Sequence, residues 1–168
     1  MKLKNFLYKT LAIIILSLVS LCWIASILYA YTSDASIEHY FKGIMYATQG
    51  KLKKAQKEFK KAIEIYPSHR LARKCLKIIE DALKNKLEKE AVISYFKGIN
   101  YKWKSMSDKA IMEYKKAITI NPNFVEAYNE LGEMYVYCKK GMLDEAIAEF
   151  KKAITIDPDY AEAHYNLG

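Results

Sequence analysis

The chain has 168 residues, of which 52% are hydrophobic and 27% are charged, and its formal net charge is +8. This length is enough for one domain and an appendage, but not for two ordinary hydrophobic cores. Only two of the 27 basic residues are arginines, Arg70 and Arg73, and arginine is the residue that recognises phosphates and base edges with a planar fork. The composition therefore favours solvated lysine faces, and no nucleic-acid partner is expected.

The cysteines and histidines are spread along the chain without the spacing of a metal site or a catalytic motif. There is no Cys-x-x-Cys, no Gly-x-Ser-x-Gly and no glycine-rich phosphate loop. We therefore expect a protein that is not an enzyme, with no catalytic residue, no metal site and no cofactor. The residues concerned are Cys22, Cys75, Cys138, His39, His69 and His164.

The first predicted element is an apolar segment. Lys2, Lys4 and Lys9 precede residues 11–31, which contain no charged side chain. A helix needs about 20 apolar residues to cross a bilayer, whereas a secretory signal has an apolar stretch of roughly 7–15, and the length of this run fits the helix better. Residues 1–31 are predicted to be a signal anchor, or a signal peptide that is cleaved near the small residues Ser33 and Ala35. Both alternatives place the later residues on the extracytoplasmic side, anchored or exported.

A pattern of small and aromatic residues begins at Gly43 and occurs three times. Its glycines and the final Gly168 recur at intervals of roughly 35 residues after a longer first interval, and such periods are typical of helical repeat arrays. The three copies are Gly43, Tyr46, Ala55, Phe59, Ala62 and Pro67; Gly98, Tyr101, Ala110, Tyr114, Ala117 and Pro122; and Gly132, Tyr135, Ala146, Phe150, Ala153 and Pro158.

Each copy is predicted to form two helices joined by a turn. In the first copy, residues 37–48 form an amphipathic stretch, Gly50 is placed to end that helix, and residues 52–66 form the second helix before Pro67. The glycines and alanines of the pattern let paired helices approach closely, and Phe59 and its equivalents fill the space beside them. We interpret the patterned residues from Gly43 to Ala153, other than the prolines, as repeat-packing residues in an all-α fold.

The longer interval between Gly43 and Gly98 contains an insert beyond the length of one repeat. Residues 68–90 contain no glycine or proline, and Leu71, Cys75 and Ile78 recur at helical spacing. One interpretation is a separate helix that ends at a turn near Asn85 and caps the first repeat. The alternative is one long helix over residues 70–101.

The segment from Glu126 to Tyr135, followed by Ala146, Phe150 and Ala153, resembles the tetratricopeptide repeat family. The resemblance implies stacked helix-turn-helix units of about 34 residues that form an α-solenoid, here preceded by a hydrophobic amino-terminal helix. The first two units depart from the family pattern, and we expect them to pack less tightly. The units are residues 36–69, an insert or degenerate unit at residues 70–90, residues 91–124, residues 125–160 with a two-residue insertion, and residues 161–168, which begin a fourth.

In this family the first helices of the units line a concave groove that binds peptides. The resemblance therefore implies a protein-binding groove at Tyr40, Ile44, Tyr95, Ile99, Asn129, Glu133 and Tyr165. Tyrosines at such positions can supply apolar area and a hydrogen bond together. The alternative is that Tyr40 and Tyr95 only pack against neighbouring helices. The lysine and asparagine pair with which some relatives hold a terminal carboxylate is missing, which disfavours binding of chaperone tails.

Pairs of lysines recur in the second helix of each unit. If the units stack, the pairs Lys60-Lys61, Lys115-Lys116 and Lys151-Lys152 lie along one stripe. A solvated convex face is the favoured interpretation, and binding to anionic lipid or glycan is the alternative.

These features together predict a non-catalytic scaffold of the cell envelope that binds a partner protein or peptide in the groove. The alternative function is the amino-terminal targeting part of a longer enzyme, because the sequence ends at Gly168 within a predicted helix.

Overall fold

The computed structural model describes residues 34–138 and 141–168, and these residues form helices joined by turns, without a β-strand. The predicted anchor at residues 11–31 lies outside the described residues, and among the described residues no helix has the length and apolar character needed to span a membrane. The described helices are α1 (residues 34–48), α2 (Leu52–Ile65), α3 (Arg70–Leu83), α4 (Lys89–Trp103), α5 (Ser107–Ile120), α6 (Val125–Cys138), α7 (Leu143–Ile156) and α8 (Ala161–Leu167).

Three helix pairs, α1 with α2, α4 with α5 and α6 with α7, form the repeats, and α8 begins a fourth unit. In each pair a glycine of the first helix lies against an aromatic ring of the second. A Cβ atom added at Gly43, Gly98 or Gly132 would lie only 2.5 Å from that ring. The looser packing expected for the first two repeats is therefore not seen at this contact. The rings belong to Phe59, Tyr114 and Phe150.

The hydrophobic core continues from one repeat to the next. The ring of Phe59 stacks on Phe96 with centroids 5.8 Å apart, and Tyr95 lies 5.0 Å from Phe124. The alanines of the pattern are fully buried, whereas Tyr46 and Tyr101 are partly exposed. This continuity confirms an all-α array of stacked repeats, in which each unit buries its apolar face on its neighbour.

The turn inside each repeat requires one residue with positive φ. Gly50 and Gly141 have φ values of +71° and +87°, whereas the second repeat has Ser105 at +56°. Glycine adopts this conformation without the steric penalty that a Cβ atom brings. The second repeat therefore makes the same turn with a less suitable residue.

The insert forms the separate helix α3, which ends at a turn where Asn85 has φ +56°. The alternative of one long helix over residues 70–101 is wrong, because this turn separates α3 from α4. The buried face of α3 consists of Ala72, Cys75, Ile78, Ile79 and Ala82. Helix α3 packs antiparallel to α2, and the side chain of Gln56 donates a hydrogen bond to Glu80 near the end of α3.

Candidate functional site

Helix α3 lies on the face that the first helices of the repeats share, which we call the groove face. At its start, the imidazole of His69 lies 5.1 Å from the ring of Tyr40 on α1. Farther into the helix, Cys75 lines a small cavity together with Tyr40. The side chain of Lys74 extends across to Glu130 on α6 and Glu162 on α8. The insert thus contacts the first helices of several repeats.

Most of the predicted groove residues are not open to a partner. Five of the seven expose between 0 and 6% of their surface, namely Tyr40, Ile44, Tyr95, Ile99 and Asn129. Glu133 is partly buried, and only Tyr165 is highly exposed. Tyr40 and Tyr95 pack against neighbouring helices, which is the alternative that the sequence left open. Their contact with a partner remains a prediction.

Five charged side chains form a network across the groove face. Lys74 Nζ lies 2.5 Å from Glu162 Oε2 and 3.5 Å from Glu130 Oε1. Lys102 Nζ donates to Glu130 Oε2 and to Glu133 Oε2, each at 2.8 Å. We call Lys74, Lys102, Glu130, Glu133 and Glu162 the charge network. It joins α3, α4, α6 and α8.

Two amides extend these contacts to the fourth unit. Asn129 donates to Glu133 Oε1 at 3.0 Å, and Asn166 on α8 donates to Asn129 Oδ1 at 3.0 Å. The hydroxyl of Tyr160 donates to Glu162 at 2.8 Å. Asn129 therefore connects α8 to α6 through hydrogen bonds. Its position in the repeat predicted a residue of the binding groove and did not indicate this structural role.

Burial and charge pairing act in opposite directions on the pKa values of the network. Burial lowers the pKa of Lys74, but Glu130, Tyr160 and Glu162 outweigh it and raise that pKa above 10.5. The same competition between burial and two glutamates raises the pKa of Lys102 to about 12. Burial raises the pKa of Glu162, but Lys74 and the hydrogen bonds outweigh it and lower it below 4.5. These shifts favour the charged forms at neutral pH.

An open cavity of about 600 Å³ remains beside α3 at the carboxyl-terminal end of the groove face. Two tyrosines at this cavity are among the most exposed large side chains, Tyr165 at 86% and Tyr137 at 79%. Arg70 is also exposed there and lies near enough to Glu162 to lower its pKa. Arg70, Leu71 and Tyr137 were not among the predicted groove residues.

No local sequence signal marks the charge network. The ion pair between Lys74 and Glu162 joins residues that are 88 positions apart. The amphipathic pattern of residues 70–83 shows that one face must be buried, but it does not identify the surface that buries it. The exposed tyrosine at position 137 could have been found by extending the groove alignment one turn beyond Glu133.

The predicted lysine stripe is partly neutralised by neighbouring side chains. Lys61 lies 3.3 Å from Glu58 and Lys60 lies 3.6 Å from Glu80. Lys115 and Lys152 lie over the rings of Tyr135 and Tyr128, at 5.6 and 5.9 Å from the ring centres. These contacts give the lysines a structural role on a solvated face, in which cation–π attraction contributes about 0.5–1 kcal/mol each.

Among the described residues, the cysteines form no disulfide and no metal site. Cys75 is buried and Cys138 is exposed, and both are free thiols. Burial raises the pKa of the Cys75 thiol to about 12, which suppresses the reactive thiolate. Within residues 34–138 and 141–168, no group of His, Cys, Asp and Glu is arranged so that it could hold a metal ion.

Comparisons with known proteins match the repeats. A TPR repeat profile matches residues 107–136 and 135–168, and a tetratricopeptide repeat profile matches residues 36–69. Tetratricopeptide repeat protein 14 of Mus musculus is 33% identical over 101 residues, which is 59% of this chain and 11% of that protein. The chain thus spans only about a tenth of this relative.

Two solved structures resemble the fold at low identity. The first TPR of Spaghetti (RPAP3), bound to an HSP90 peptide, is 19% identical with a TM-score of 0.45, and the alignment covers 80% of this chain and 89% of that one. The carboxyl-terminal TPR-containing domain of a Plasmodium falciparum FK506-binding protein is 19% identical with a TM-score of 0.42, covering 80% and 84%. On the repeat profiles, which together match more than half of the residues, the chain belongs to the tetratricopeptide repeat family.

Proposed function

We propose that this protein is a non-catalytic scaffold that binds a peptide segment of a partner protein. The observation that carries the proposal is the open cavity of about 600 Å³ between α3, α4, α6 and α8. Helix α3 covers the groove face near α1, so a partner has access at the carboxyl-terminal end. The binding site therefore consists of Arg70, Tyr137 and Tyr165 around the charge network.

The chemistry of this cavity suits an extended or helical peptide with mixed side chains. Tyr137, Tyr165 and Leu71 offer apolar area, and tyrosine loses little conformational entropy on binding while keeping a polar tip. Lys74 and Lys102 are already paired with glutamates. Arg70 is the exposed cation at the rim, and its planar guanidinium is suited to a carboxylate of the partner.

Site-specific photo-crosslinking in the native host tests this proposal. A photoreactive phenylalanine analogue replaces Tyr137 or Tyr165 in the cavity, or Met112, which is 59% exposed on α5. We expect one partner segment to crosslink at both tyrosine positions and not at Met112. The same segment crosslinked equally at all three positions, or at none, would contradict a groove-bound partner.

The two arginines provide a matched pair of variants. Both are exposed on α3, but only Arg70 lines the cavity. Arg70→Glu should strongly reduce crosslinking from Tyr165, whereas Arg73→Glu should leave it unchanged. Equal effects of the two variants would show that general charge, and not the rim of the cavity, controls binding.

We also propose a cell-envelope location with residues 11–31 as a membrane anchor. The support is the uncharged run over these residues, with lysines before it and Asp34 and Glu38 after it. Exposed Cys138 provides the test, because buried Cys75 should be protected from reagents. A maleimide that cannot cross membranes should label Cys138 in intact cells if the repeats are extracytoplasmic. Labelling that requires permeabilised cells would place them on the other side.

A further inference from the structure

Helix α1 carries an exposed apolar stripe that no described element covers. Ile37, Phe41 and Met45 follow one another at intervals of four residues and are 41%, 40% and 47% exposed. Trp103 at the end of α4 is 56% exposed, and its ring packs edge-on against Phe41 with centroids 5.2 Å apart. We call these four residues the docking face. Repeat packing does not account for them, because the buried side of α1 is formed by Tyr40, Ile44 and Ala47.

The position of the docking face in the chain connects it with the uncharged run. Ile37 follows Tyr31, the last residue of that run, by only six residues. Six residues span at most about 20 Å even when fully extended. If residues 11–31 cross a bilayer, α1 must therefore begin close to the membrane surface.

The charge distribution also distinguishes this end of the protein. Residues 34–90 contain 14 basic and 8 acidic residues, whereas residues 91–168 contain 10 basic and 11 acidic residues. The basic excess lies on α2 and α3, whereas α1 itself carries Asp34 and Glu38 against Lys42. The apolar side chains of the docking face, and not its charge, must therefore supply the attraction to a bilayer.

We propose that the docking face rests on the surface of the bilayer in which residues 11–31 are anchored. Phe41 and Trp103 enter the headgroup region, where tryptophan is favoured because its ring is apolar and its N–H is polar. Ile37 and Met45 add apolar area along the same side of α1, as in interfacial amphipathic helices. The inference rests on the membrane anchor proposed above. It fixes the first repeat on the membrane and leaves the cavity near α8 open to a partner.

Fluorescence quenching in the full-length chain tests the docking face. The chain has two tryptophans, Trp23 and Trp103, so Trp23→Phe leaves Trp103 as the single probe. The variant is reconstituted into vesicles of phosphatidylcholine and phosphatidylglycerol whose acyl chains carry bromine near the headgroup. We expect Trp103 emission to be quenched and shifted to shorter wavelength, relative to vesicles without bromine.

Three further substitutions in this background separate docking from tethering. Phe41→Glu should abolish the quenching, while Leu143→Glu, at a 61% exposed residue on α7, should leave it unchanged. Phe41→Leu should retain most of it, because the apolar character is kept. Circular dichroism checks that each variant keeps its helical content.

The outcomes distinguish the docking face from the anchor. Chains that float with the vesicles but show no quenching of Trp103 would overturn the docking face and leave the anchor intact. Chains that do not float would overturn both, without affecting the crosslinking result for the cavity. Equal loss of quenching in Phe41→Glu and Leu143→Glu would also overturn the proposal. So would a photoreactive residue at position 41 that crosslinks to a second copy of the chain while Trp103 is not quenched.

Discussion

The groove face is covered at the first repeat and open at the carboxyl-terminal end of the array. Near α1, helix α3 lies against the face, and Tyr40 and Tyr95 are buried. Near α8, the face is open, and Tyr137 and Tyr165 are exposed around a cavity of about 600 Å³. The repeats themselves are alike, since Gly43 and Gly132 make the same close contact with an aromatic ring. The inserted helix, and not the repeat core, therefore decides which part of the groove face stays open.

The largest expected effect is on the packing of α3. Ile79 is fully buried on α3, whereas Leu71 on the same helix is 39% exposed. Ile79→Ala should lower the free energy of unfolding by about 2–5 kcal/mol, because it removes buried methylenes and leaves a cavity. Leu71→Ala should cost less than about 1 kcal/mol. Urea denaturation measures both, and similar costs would show that α3 is only loosely attached.

The glycine contacts test whether the repeats are equivalent. Alanine at Gly43 or Gly132 would place a Cβ atom 2.5 Å from the ring of Phe59 or Phe150. Each substitution should destabilise by about 1–3 kcal/mol, because a buried ring must move. Thermal or urea unfolding of the two variants gives the comparison. A much smaller cost at Gly43 would restore the expectation that the first repeats pack less tightly.

Acid should weaken the charge network that joins α3 to α8. The pKa of Glu162 is lowered in the folded protein, from 4.5, so its stabilising effect is present above that pH and is lost as the pH falls through the folded pKa. Glu126, whose pKa burial raises, acts in the opposite direction. The pKa of Lys74 is raised from 10.5, so its contribution is present below that pH and disappears only in strong alkali.

Hydrogen exchange of α8 measures this effect. As the pH falls from about 5 to about 3, through the range below 4.5 in which Glu162 becomes protonated, the protection of α8 should decrease in the native protein more than in Lys74→Met, which lacks the ion pair. Lys74→Met should itself destabilise by about 1–3 kcal/mol, since it leaves a half-buried carboxylate with fewer partners. Identical pH profiles of the two proteins would show that the network does not hold α8.

The smallest expected effect concerns the turn of the second repeat. Ser105 has φ +56°, where the other repeats have Gly50 and Gly141. Ser105→Gly should stabilise the protein by up to about 1 kcal/mol, because it removes the steric penalty of a Cβ atom in this conformation. The matched change Gly50→Ser should destabilise by a similar amount. Unfolding midpoints of both variants test the pair, and a loss of stability in Ser105→Gly would refute the explanation.

The repeat fold follows from local patterns in the sequence. The spacing from Gly43 to Ala62 recurs because helix pairs need small residues at fixed contacts, and that spacing predicts which residues are buried. The turn near Asn85 is likewise indicated by the end of the apolar period in α3. Family membership follows from the same residues, since the profiles match residues 36–69 and 107–168.

Only the tertiary structure decided where α3 lies and which part of the groove stays open. The amphipathic pattern of α3 predicts that one of its faces is buried. It does not predict which of the neighbouring apolar surfaces that face packs against. The choice is made by contacts such as that of Lys74 with Glu162, whose partners are 88 residues apart. The sequence thus determined the helices, the repeats and their packing residues, while long-range packing and charge pairing determined which part of the groove face stays exposed.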